Sequence, residues 1–224
     1  ADETEAEKEG GDEEMTFVRP TRGRWAVLAG LCGILVWGGS GLAQQSEKTL
    51  RLIPPGYLAP RFVAPPDAPS TIVVAAKDEP GERLIVTGQV LDGARAVPGA
   101  SIYVVQADAS GRYSKRDPDT DLNARLYGFM RSDANGQYRY ETVRPGHYGP
   151  KTNPSHVHYV VNAPGYKPRM LDLRFDDDPV IAARRKGGIP DDDGFAPGWM
   201  VVRPVTRDAS GAWHVTRDLE MIRE

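Results

Sequence analysis

The stretch Asn135-Gly136-Gln137-Tyr138-Arg139-Tyr140-Glu141-Thr142-Val143-Arg144-Pro145-Gly146 decides how this chain is read. Residues 137–143 have strand character, and Asn-Gly in front and Pro-Gly behind close the run with turn chemistry. Working outward, runs of the same kind lie at 84–91, 100–107, 156–162, 170–175, 200–205 and 213–221. Asp92-Gly93, Pro98-Gly99, Ser110-Gly111, Pro164-Gly165 and Ser210-Gly211 punctuate them. Many short strands separated by Gly and Pro turns predict an all-β domain, an antiparallel β-sandwich with long loops. One short helix is expected near residues 179–185.

With 224 residues, 40% of them hydrophobic, the chain can build one domain with a real core, plus tails. The net charge of -3 is unevenly placed: residues 1–20 hold eight acids and two bases, so the remainder is positive by three charges. No part is basic enough to argue for a nucleic-acid partner. Cys32 stands alone, which excludes an intrachain disulfide and a cysteine metal cluster. Any metal must be held by oxygen and nitrogen, and only His147, His156, His158 and His214 offer imidazole.

The organisation reads in four parts. Residues 1–24 form an acidic tail, expected to be disordered, with a basic flank of Arg19, Arg22 and Arg24. Residues 25–43 are an uncharged apolar run, close to the ~20 residues that cross a bilayer as a helix. They read as a signal peptide or an uncleaved anchor, so an N-terminal apolar helix, membrane contact and an extracytoplasmic location are expected. Residues 44–82 are a Pro-rich arm, with a short strand near 72–75, and residues 83–224 are the globular domain. Whether identical subunits assemble into a homo-oligomer is left open.

His156-Val157-His158 falls within a strand-like run, so both imidazoles point to one face, their Cα atoms about 6–7 Å apart. Such a pair can converge on one metal, or can simply face solvent. Tyr113 follows Ser110-Gly111-Arg112 and Tyr148 follows the Pro145-Gly146 turn, both on connecting segments where sites are usually built. Spacing alone does not single out two of nine tyrosines. Two phenolates and two imidazoles would suit a hard trivalent ion, and four protein ligands leave a position for water or substrate.

Residues 81–179 resemble the intradiol ring-cleavage dioxygenases, the catechol and protocatechuate dioxygenase family. The likeness rests on an ordered set: Gly81-Glu82-Arg83-Leu84, Val97-Pro98-Gly99-Ala100, Gln106-Ala107-Asp108, Gly111-Arg112-Tyr113, Pro145-Gly146-His147-Tyr148, His156-Val157-His158 and Phe175-Asp176-Asp177-Asp178-Pro179. The resemblance implies a prealbumin-like sandwich and a non-haem Fe(3+) centre. Tyr113 and His158 would be its equatorial ligands, and Tyr148 and His156 its axial ones. It implies that Tyr148 leaves the metal when a catechol-type substrate binds and takes up a substrate proton. O2 would then open the ring between the two hydroxyl-bearing carbons.

The departures concern substrate contacts. Asn153 stands where the family carries an arginine, with Lys151, Arg169 or Arg174 as substitutes for its charge. Asp172 stands where the family carries a glutamine. Asn153, Lys151 and Asp172 are therefore the expected substrate-binding residues. The alternatives are a non-catalytic sandwich that binds envelope components, and an iron or zinc site with another reaction. Asp176–Asp178 and Asp191–Asp193 read as solvated turns rather than calcium loops, and His147 as a structural, exposed or supporting neighbour of Tyr148.

Overall fold

The computed structural model describes residues 55–147, 153–191 and 200–224. Its strands, in chain order, are β1 Thr71–Val73, β2 Arg83–Asp92, β3 Arg95–Ala96, β4 Ser101–Gln106, β5 Leu126–Arg131, β6 Gln137–Val143 and β7 His156–Asn162. They continue as β8 Tyr166–Lys167, β9 Arg169–Phe175, β10 Met200–Arg203, β11 Thr206–Arg207, β12 Trp213–Thr216, β13 Leu219–Glu220 and β14 Ile222–Arg223. Helix α1, Pro179–Lys186, has the length and place expected of the short helix. Asp178 caps it by accepting from the Val180 N–H, and proline sits in its first turn, where no N–H is needed.

Two sheets face each other. One runs β1-β6-β2-β12-β11, with β3 and β13 also on β2; the other runs β10-β9-β7-β4-β5. Strand β2 alternates buried and half-buried residues, as a strand with one covered face must. Leu84, Val86, Tyr138 and Tyr140 of the first sheet meet Ile102, Val104, Val157, Tyr159, Leu171 and Leu173 of the second. Tyr140 and Tyr159 hydrogen-bond to each other at 2.6 Å, which satisfies two hydroxyls the core would otherwise strand.

Strict antiparallel pairing is corrected. The central pairs β2·β6, β4·β5, β4·β7 and β7·β9 are antiparallel, but β1·β6, β10·β9, β12·β2 and β13·β2 are parallel. The parallel partners arrive along connections rather than tight hairpins, so no turn motif in the sequence announces their direction. The run at 213–221 is two strands: β12 and β13 part at Arg217-Asp218. A Cβ on Gly88 of β2 would lie 1.9 Å from the Arg217 carbonyl oxygen, so only glycine lets that backbone through.

The second sheet is covered on its outer face too. All residues of β9 and all but the last of β7 are buried. The arm supplies Tyr57 and Phe62, which pack with Tyr103, Val105, Val160 and Met170, and with Tyr113 and Ala124 from the loop between β4 and β5. Arg131 fixes the arm by donating to the carbonyls of Ala64 and Pro65. No helix among the described residues is long and apolar enough to cross a membrane. The apolar run 25–43 lies outside the described residues.

Candidate metal centre

The outer face of the second sheet carries the candidate ligands His156 and His158. Side-chain alternation sends Val157 and Tyr159 of β7 into the core, and sends His156 and His158 to the opposite face. The antiparallel register sets His158 beside Asp172 and His156 beside Arg174 on β9, with Val105 of β4 on the other flank of His158. Both histidines are buried.

Their hydrogen bonds fix which nitrogen is available. His156 Nδ1 lies 2.7 Å from the Pro154 carbonyl, which can only accept. His158 Nδ1 lies 2.6 Å from Asp172 Oδ1. Burial would raise Asp172, but the charge and hydrogen bond of His158 outweigh it and hold the carboxyl below its usual range, so it too only accepts. Each Nδ1 therefore carries a hydrogen, which leaves each Nε2 as the nitrogen that can take a metal or a further proton. The two Nε2 atoms stand 3.1 Å apart, a spacing that a proton on one of them or a metal ion held by both accounts for. Two donors at about 2.1 Å from one ion, near a right angle to each other, have this spacing.

Burial first, then the neighbouring His158, pushes His156 down to about 4, so it is a neutral donor at physiological pH. Burial also pulls on His158, but the charge and hydrogen bond of Asp172 win, and His158 ends raised. His156, His158 and Asp172 offer atoms within 4.8 Å of one another. They are not three ligands of one ion, because Asp172 sits behind His158 on its Nδ1 side. A carboxylate there fixes the ring and raises the basicity of the ligating nitrogen.

Tyr113 lies against the same imidazole, its ring at 13° to that of His158 with centroids 6.3 Å apart. Asp119 accepts from the backbone N–H groups of Tyr113 and Ser114, at 2.9 and 2.8 Å, and Arg125 donates its N–H to the Tyr113 carbonyl. Asp108 and Glu79 clamp Arg125 from two sides. Tyr138, Tyr140 and Tyr159 occupy the core between the sheets, whereas Tyr113 packs with Tyr57 and Tyr103 on the outer face.

Tyr148 and Lys151 lie outside the described residues, but their neighbours are placed. The Gly146 N–H donates to the Asp108 carbonyl at 2.8 Å. His147 pairs with Asp178 at 2.9 Å, and the same carboxylate accepts from Ser155 N and Oγ. One aspartate thus ties both ends of the segment that carries Tyr148. Asp176 and Asp177 form the expected solvated turn, with Asp177 paired to Arg144, but Asp178 departs from that reading: it is buried, where it caps α1 and accepts from Ser155. Asn153 is half-buried at the approach to β7.

Of the cations weighed against Asn153, Arg174 shares the outer face with Asp172, while Arg169 has the opposite parity and donates to the Glu220 carbonyl. The parity was present in the sequence. Asp121 and Tyr57 were missed. Asp121 Oδ2 is 3.9 Å from His158 Nε2, and Tyr57 is buried from the arm.

A family model described as Dioxygenase matches residues 55–186. The chain belongs to the intradiol ring-cleavage dioxygenase family. It is 36% identical over 113 residues to the beta chain of protocatechuate 3,4-dioxygenase from Burkholderia cepacia, a match covering 46% of this chain and 48% of that one. It is 30% identical over 144 residues to catechol 1,2-dioxygenase from Acinetobacter baylyi, covering 54% and 45%. The chain thus spans about half the length of these curated relatives. Among solved structures, the dioxygenase domain of a carbohydrate-binding fusion protein from Streptomyces sp. matches at a TM-score of 0.53 and 25% identity, covering 72% of this chain and 94% of that one. Wild-type catechol 1,2-dioxygenase of Acinetobacter radioresistens shares the fold at a TM-score of 0.53 and 24% identity, covering 73% and 60%.

Proposed function

We propose that this intradiol family member is a non-haem iron(III) dioxygenase that opens catechol-type rings between the two hydroxyl-bearing carbons, using O2. The observation that carries the reading is the pair of buried Nε2 atoms 3.1 Å apart, each with its Nδ1 hydrogen already committed. That arrangement fits a metal, and phenolates from Tyr113 and Tyr148 would favour the ferric state. Ferric iron, when bound, supplies Lewis acidity toward the diol.

The chain's own residues supply the rest. His156 and His158 hold the metal in orientations fixed by Pro154 and Asp172. Tyr148 is the group we assign to accept a proton from the diol. Tyr57, Phe62 and the 113–125 loop keep water off the outer face of the sheet. Arg174 takes over the positive charge that Asn153 does not bring, and Asn153 and Lys151 border the substrate. Asp172 acts on substrate through His158 rather than by touching it. The uncharged run 25–43 after three arginines supports action outside the cytoplasm.

Catechol added without O2 to iron-loaded protein should shift a visible tyrosinate charge-transfer band. Admitting O2 should then yield a ring-opened dicarboxylic acid. Iron-loaded protein that leaves catechol intact in O2 would remove the assignment.

A further inference from the structure

Asp121 begins the short 3-10 turn Asp121–Asn123 in the loop that carries Tyr113. Its Oδ2 stands 3.9 Å from His158 Nε2, the nitrogen turned toward the metal position, while Asp172 holds Nδ1 on the far side at 2.6 Å. Two carboxylates thus flank one imidazole. Asp172 is sealed behind it, with a side chain 5% exposed, while Asp121 stands in front at 29%, open to whatever approaches. Tyr57 backs Asp121 from the arm: burial first, and then Asp121, keep that phenol protonated.

The His158 side of the centre therefore presents the Asp121 carboxylate. Among the described residues no lysine or arginine forms an ion pair with Asp121. Arg174 lies on the His156 side of β7, and Asn153 is neutral. A diol that reaches the Nε2 side of His158 must place its ring or a substituent near the Asp121 carboxylate. Like charges brought together in a partly desolvated site repel strongly.

We propose that Asp121 sets the substrate class of this centre: it admits catechol-type diols whose ring substituents are neutral or cationic, and disfavours rings that carry a carboxylate. The inference rests on the iron-dioxygenase reading above. Discrimination here comes from a repulsive element rather than from an added contact.

The test uses the full, iron-loaded chain without O2. Dissociation constants for catechol, dopamine and 3,4-dihydroxybenzoate are read from the shift of the visible band. Catechol and dopamine should bind at least about tenfold more tightly than 3,4-dihydroxybenzoate. Asp121→Asn should bring the three close together, and Asp121→Glu, which keeps the charge, should preserve the order. An Asp121→Asn protein with the same ratios, or a parent protein that favours 3,4-dihydroxybenzoate, overturns the inference and leaves the dioxygenase reading standing. Failure of every diol to shift the band removes that reading, and the inference with it.

Discussion

At the scale of single residues, His158 shows how the site is built. Its ring is stacked by Tyr113, held from behind by Asp172 and faced by Asp121, so one loop and one neighbouring strand act on one imidazole. Loss of a carboxylate that orients a ligating histidine typically weakens metal binding about 10–100-fold. Asp172→Ala should therefore lower iron affinity by that factor, read by chelator competition, with the fold retained. Unchanged affinity would mean that Asp172 has another task. His156 and His158 were legible as a pair because alternation alone puts i and i+2 on one face. Arg174 was legible by the same parity with Asp172. Asp121 was not: it sits in a polar loop with no periodicity, and only the folded loop brings it to the histidine.

At the scale of elements, the loop between β4 and β5 is the part on which Tyr113 depends. Asp108 anchors it, accepting from Ser110 and from the Arg112 N–H and pairing with Arg125 at 2.8 Å. Burial works to raise Asp108, but these bonds outweigh it and hold the carboxyl down at about 2. A depressed folded value means the stabilisation is fully present above the unfolded value of about 3.9 and fades as pH falls toward 2. Asp108→Asn should cost on the order of 2 kcal/mol at neutral pH, with the difference from the parent shrinking below about pH 4 in urea titrations. A pH-independent difference would contradict the ionic anchor.

Strands β6 and β7 match their expected bounds residue for residue, because turn residues stop them and the fold adds nothing further. Strand β5, Leu126–Arg131, was not anticipated, since Gly128 in its middle weakens the local signal. Ile72 of the arm packs over it: a Cβ on Gly128 would stand 2.4 Å from Ile72 Cδ1, the mobile end of that side chain. The split between β12 and β13 has a similar origin at Gly88. Gly88→Ala should destabilise the domain by about 2–4 kcal/mol in urea unfolding, because the obstructing atom is backbone. A cost below about 0.5 kcal/mol would show that β13 can shift away.

At the scale of the whole molecule, the sandwich gives its site an uncommon address. The candidate site lies on the outer face of a sheet, not between the sheets, and residues of the arm and of the loop between β4 and β5 pack over that face. The general class follows from turn spacing. The covering of the outer face does not, because it depends on a Pro-rich segment that reads as a linker. The N-terminal run makes a separate prediction on this scale. A chain expressed with residues 25–43 should be recovered from membrane or extracytoplasmic fractions, and one lacking them should stay in the cytoplasm. Identical fractionation of the two would exclude a targeting role for that run.

The most direct measurement is a crystal structure of the iron-loaded chain with the metal located by anomalous scattering at the iron edge. The account predicts one iron per chain, within about 2.1 Å of both Nε2 atoms of His156 and His158, with the phenol oxygens of Tyr113 and Tyr148 completing its protein ligands. Iron bound elsewhere, or bound between the histidines with both phenols turned away, would contradict it.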